Sequence, residues 1–138
     1  MPSQPSQPSQ MSDHGPNAGK RSWIVKFRDT FRGLGFAVQE QSFRVHVFFA
    51  LAVLIATTRL GASKTEWLFL VAAIGSVLIT ETINTAIERL ARAVTKEENP
   101  LVGQALDLAS AAVLIASFFA VIVGLVILGP KCLALLSG

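Results

Sequence analysis

Glu81, Asn84 and Glu88 lie close together in a stretch, Ile79 to Glu88, that is polar where its surroundings are apolar. At about 100° per residue, a helix carries Asn84 roughly 60° and Glu88 roughly 20° from Glu81, so two carboxylates and a carboxamide share one face. Upstream, Trp67 to Ile79 interrupts its apolar residues only with Gly75 and Ser76, which assigns this helix to lipid or a buried core. Ionisable groups in a membrane segment cost about 2.5 to 3.5 kcal/mol each on insertion scales, and they usually mark a working site. Clustered carboxylates repel one another without a cation. Hard oxygen ligands of this kind suit magnesium, typically completed by waters and nucleotide phosphates.

These residues must be held by membrane helices. The 138 residues are 51% hydrophobic and 15% charged, with a mean hydropathy of +0.53; long uncharged runs of this kind fit a bilayer better than a water-soluble core. The net charge of +3 sits beside hydrophobic segments and forms no separate patch with aromatics. It therefore reads as membrane orientation and not as nucleic-acid binding. Cys132 is the single cysteine, which excludes an internal disulfide and a zinc cluster.

Residues 1–19, with Pro-Ser-Gln three times in succession, have no apolar period and are expected to be a disordered tail. They contain no h-region of a secretory signal. Over about 20–38, Trp23, Phe27, Phe31 and Leu34 recur at helical spacing opposite Lys26, Arg28, Asp29 and Arg32, the pattern of an amphipathic helix at the membrane surface. Such a helix either merely anchors the chain or, in the sharper reading, also brings Lys20, Arg21, Arg28 or Arg32 to a phosphate, and Arg21 is counted among the nucleotide-binding candidates. Spanning helices follow at about 43–60, 66–92 and 101–128, with Gly129-Pro130 expected to end the last. The whole of 20–138 is read as one all-α membrane domain.

Lys and Arg set the orientation. Six lie in the flank through Arg44 and three between Arg89 and Lys96, against two between Arg59 and Lys64 and one at Lys131, so the N-terminus and the second loop face the cytoplasm. The expected location is the inner (cytoplasmic) membrane, crossed several times, with the active site on the cytoplasmic side. Glu81 then lies about 21 Å along its helix from Trp67, inside the cytoplasmic half of the bilayer, and Glu88 about 31 Å along, near the surface. Glu40 and Asp107 flank the other two crossings at the same level. Glu81, deeper and less hydrated, is the candidate general base.

From about Trp23 to Leu128 the chain resembles the small integral-membrane lipid kinases, the bacterial-type diacylglycerol kinases and the related undecaprenol kinases. The likeness rests on three motifs: Glu40-x-x-Phe43-Arg44; Glu81-Thr82-Ile83-Asn84-Thr85-Ala86-Ile87-Glu88; and Asp107 followed by Ser110-Ala111-Ala112-Val113-Leu114-Ile115-Ala116. It implies a homotrimer of three-helix subunits, each with a surface helix, that transfers the ATP γ-phosphate to a lipid hydroxyl. Diacylglycerol, giving phosphatidic acid, is the first substrate reading and undecaprenol the alternative. By the same resemblance Glu81 is the base, Asn84 orients the site, Glu40 and Glu88 hold Mg2+, and Glu97, Glu98, Asn99 and Asp107 make adenine-side contacts. Phosphoryl transfer needs little beyond such positioning and charge neutralisation.

Three positions stand apart. Arg92 replaces an acidic residue usual in the family, and Leu106 replaces a lysine that normally meets phosphate; either Arg92 or a basic residue of the first helix compensates, or nucleotide binding is weaker or altered. His46 occupies a position where undecaprenol-type enzymes resemble one another in having His, which leans toward a polyprenol.

Two other classes compete. A structural oligomer could use Glu81, Asn84 and Glu88 as interhelical glue, but glue does not explain why Glu40 and Asp107 share their level. A small proton-coupled exporter would want one acid near the midplane, without a second carboxylate two turns away.

Overall fold

The computed structural model describes residues 23–95 and 97–137. Arg21 and the expected tail at 1–19 lie outside them. The described residues form four helices and no strand: α1 Trp23–Gln39, α2 Gln41–Arg59, α3 Lys64–Val94 and α4 Pro100–Ser137. The expected all-helical architecture is present. α2, α3 and α4 are each long and apolar enough to cross a membrane.

Local chemistry fixes where each helix starts and stops. Glu40 adopts an extended conformation between α1 and α2, breaking the helix there. Gly61 takes a φ of 63° after the C-terminus of α2, a left-handed conformation that glycine adopts without steric cost. Ser63 opens α3 with a capping box: its Oγ accepts from the Glu66 N–H at 3.3 Å, and Glu66 Oε2 accepts from the Ser63 N–H at 2.6 Å. Asn99 Oδ1 accepts from the Leu101 N–H at 3.0 Å, and Pro100 begins α4 where its missing N–H costs nothing.

The end of α4 departs from expectation. Gly129-Pro130 does not stop the helix, which continues through Pro130 to Ser137. One proline removes a single backbone bond, a loss that membrane helices accommodate by local adjustment and neighbouring groups. Just beyond it, Lys131 Nζ lies 3.2 Å from Glu66 Oε2, fastening the extension to the start of α3.

α3 is the hub. It packs mainly along α4, also carries α2, and touches α1 at the junction with α2. Its buried residues are Leu70, Ala73, Val77, Glu81, Asn84 and Thr85, a stripe at three- and four-residue spacing. The core of this helix thus becomes polar at Glu81 without changing face. α4 has Ala109 as its buried residue, while Leu114, Phe118 and Leu125 are about 70% exposed. Such a surface requires lipid or neighbouring apolar chains around it.

At about 1.5 Å per residue, α3 is close to 46 Å long, more than the roughly 30 Å of hydrocarbon in a bilayer. Part of it must tilt or project. The turn carrying Glu88, Arg89 and Arg92 lies within two turns of the C-terminal end of α3, with Glu81 further inside the helix.

Candidate active site

Among the described residues the most buried ionisable group is Glu81, 2% exposed. Its carboxylate is gripped from α2: the Ser42 hydroxyl donates to Oε1, and His46 Nε2 lies 3.8 Å from Oε2. Ser42 and His46 are four residues apart, one helical turn, and so present one face of α2 to α3. A buried carboxylate without partners is costly. Here one oxygen has a donor and the other faces an imidazole, at a distance too long for a hydrogen bond.

One turn along the stripe, Asn84 Nδ2 donates to Glu88 Oε1 at 2.8 Å. A carboxylate can only accept, so this contact sets the amide orientation and turns Oδ1 the other way. That oxygen is buried and has no hydrogen-bond partner within the chain, an arrangement that normally demands a donor or a cation. Glu88 keeps Oε2 at 3.8 Å from Arg92 Nη1, with its side chain 38% exposed.

Glu40 lies across the α2–α3 boundary and is bound to Arg89. Its Oε1 accepts from Arg89 Nη2 at 2.7 Å and from Nε at 3.2 Å. Arg89 also donates to the Phe36 carbonyl at 3.3 Å and stacks over the Phe36 ring at 5.2 Å. The guanidinium therefore ties α3 to the junction of α1 and α2.

The oxygens present fit magnesium. Among the described residues no three His, Cys, Asp or Glu side chains form a metal cluster, but Mg2+ commonly takes only one or two carboxylates and draws its other ligands from water and phosphate. Glu88 supplies a carboxylate, and Asn84, one turn earlier, carries a second hard oxygen, the unpartnered Oδ1, on the side of the amide away from Glu88. Glu40 is committed to Arg89 through one oxygen, so it joins such a site only if that pair loosens.

The remaining candidates separate into two groups. Glu97, Glu98 and Asn99 line a cavity between the ends of α3 and α4, together with Arg92 and Leu106. Asp107 is exposed on α4 and is not part of that lining, and Arg21 lies outside the described residues. Ser42 and Arg89 escaped the reading of the sequence as site residues. Ser42 follows Glu40 by two positions and shares the His46 face, a signal that α2 has a polar face at its start; Arg89 had entered only as an orienting charge.

Comparison with known proteins identifies the family. Residues 28–128 match the prokaryotic diacylglycerol kinase family. The chain is 36% identical over 92 residues to an undecaprenol kinase of Bacillus subtilis strain 168, covering 67% of this chain and 75% of that protein. It is 35% identical over 115 residues to a diacylglycerol kinase of Synechocystis sp. PCC 6803, covering 82% of this chain and 66% of that protein. The match spans the Glu40 junction, the Glu81 stripe and most of α4. The chain belongs to the prokaryotic diacylglycerol kinase family and is, with that family, an enzyme of the lipid-kinase class.

Proposed function

We propose that this protein transfers the γ-phosphate of ATP to the hydroxyl of a membrane lipid at the cytoplasmic face of the inner membrane, with Glu81 as the general base. The observation that carries the assignment is the burial of Glu81 within a spanning helix while, from the neighbouring helix, Ser42 donates to one of its oxygens and His46 stands 3.8 Å from the other. A carboxylate fixed at that depth is suited to meet a hydroxyl that a lipid presents just below the headgroup level.

With Ser42 donating to Oε1, Oε2 is the atom that takes the hydroxyl proton. The lipid oxygen then bonds to the γ-phosphorus, the bond from that phosphorus to the bridging oxygen breaks, and ADP leaves with the electron pair. The proton on Glu81 returns to solvent before the next turnover. Asn84 holds Glu88 in place, and Glu88 and Asn84 Oδ1 would hold magnesium, with Glu40 able to join them only if freed from Arg89. Bound magnesium supplies neutralisation of phosphate charge as the transfer proceeds.

Diacylglycerol, yielding phosphatidic acid, is the first substrate in this reading. Undecaprenol is the second, and the specific observation favouring it is His46 beside Glu81, since the undecaprenol-type enzymes that the chain resembles have His there. The exposed apolar surface of α4 leaves room for further copies, and a homotrimer is part of the proposal. Purified protein in detergent, given Mg-ATP with either lipid alcohol, should release ADP in step with phospholipid formation from at least one of them. Lack of a phosphorylated lipid from both, with proton-coupled transport in vesicles, would instead establish the exporter class.

A further inference from the structure

The cavity between α3 and α4 has a volume of about 570 Å³, within the usual range for small-molecule sites. Its lining brings together Arg92 and Thr95 at the end of α3, Glu97, Glu98 and Asn99 in the connection, and Leu106 on α4. Arg92 is the one cation among the described lining residues. Its charge is only loosely met: the side chain is 63% exposed, and Nη1 pairs with Glu88 Oε2 at 3.8 Å, beyond hydrogen-bond length, an exposed pair of little worth that a phosphate can displace.

The acidic connection and the cationic end divide this cavity. Glu97 and Glu98 repel a polyanion, which is drawn to the end where Arg92 stands. That end also adjoins Glu88, because Arg92 follows it by four residues on the same helix face. A guanidinium offers several N–H donors in a planar fork that matches phosphate oxygens. Leu106, which also lines the cavity but from α4, brings no charge. Resting on the kinase reading, we propose that Arg92 is the phosphate-binding residue of the nucleotide site in this chain, holding the ATP polyphosphate next to Glu88 from α3 and supplying the charge that Leu106 cannot supply from α4.

This assignment makes the two positions interchangeable in function. A lysine at 106 would place an ammonium in the cavity that Arg92 serves, so it should replace a lost guanidinium. The test is equilibrium binding to the full chain in detergent with magnesium present, using displacement of a fluorescent ATP analogue by ATP and, separately, by adenosine. Arg92→Ala should weaken ATP roughly ten- to hundredfold, the loss expected for a hydrogen bond to a charged group, while adenosine displacement stays unchanged. Arg92→Lys should recover part of the affinity, and the double variant Arg92→Ala, Leu106→Lys should recover most of it.

Equal ATP affinity in Arg92→Ala and wild type would overturn the proposal. So would an equal loss for ATP and adenosine, or a loss that neither Arg92→Lys nor Leu106→Lys relieves. If Arg92→Ala does not fold, Arg92→Gln, which keeps most of the side-chain volume, is judged by the same criteria. Wild-type protein that binds ATP but phosphorylates no lipid would overturn the kinase reading and leave Arg92 to be decided by binding, whereas wild-type protein that binds no ATP would overturn both.

Discussion

Ser42 on α2 donates its hydroxyl to Oε1 of Glu81 on α3. The contact joins the two helices at the one point where the buried stripe of α3 becomes acidic, and it leaves the other carboxylate oxygen facing His46 at 3.8 Å. Ser42→Ala should lower kcat about tenfold, the size of a typical hydrogen bond to a charged group, with the KM for Mg-ATP unchanged. Ser42→Thr, which keeps the donor, should retain most of the rate. Steady-state kinetics of the three proteins would show this, and an unaltered kcat in Ser42→Ala would remove the contact from the mechanism.

Glu40 and Glu88 differ in how their charge is already met. Glu40 is held by two Arg89 donors, whereas Glu88 has one amide donor and a distant guanidinium. Both glutamine variants should raise the magnesium concentration needed for half-maximal rate, Glu88→Gln by more. A magnesium titration that ranks Glu40→Gln as the more demanding would reverse the assignment of the principal metal carboxylate.

Asn84 buries an oxygen with no partner in the chain, an arrangement that costs stability. Asn84→Ala removes that orphan together with the donor to Glu88, so the thermal midpoint should stay level or rise while kcat falls about a hundredfold. Differential scanning of detergent-solubilised protein beside an activity assay separates the two effects. A large drop in midpoint would mean that Asn84 is chiefly structural.

The ion pair of Arg89 with Glu40 is partly exposed, with side chains 38% and 32% accessible, so its worth to the fold should be below about 1 kcal/mol. Arg89→Ala should lower the thermal midpoint by more than the ion pair alone would give, because it also removes the bond to the Phe36 carbonyl and the stacking on the Phe36 ring. It should also lower the magnesium requirement by freeing Glu40, and a raised requirement would contradict the competition between Arg89 and metal.

What the sequence made legible is what depends on neighbours along the chain. The apolar runs and the 3.6-residue period reveal the helices, and the spacing of Glu81, Asn84 and Glu88 reveals a shared face, because both are properties of one helix. The Ser42 contact with Glu81 and the Arg89 contact with Glu40 bridge 39 and 49 residues, and they depend on how α2 lies against α3. No local period encodes that placement. Two boundary signals were local yet misjudged: Ser63 and Glu66 form a capping box that starts α3 at Lys64, and Pro130 was given its usual force as a terminator, which a membrane helix withstands.

The central claim is that Glu81 receives the proton of the lipid hydroxyl, and Glu81→Gln tests it most directly when turnover and nucleotide binding are measured on the same preparation. The variant should lose turnover by about two to four orders of magnitude, the contribution typical of a general base, while its affinity for Mg-ATP stays close to wild type. Parallel loss of Mg-ATP affinity would assign Glu81 to the metal, and turnover near wild type would contradict its role as the base.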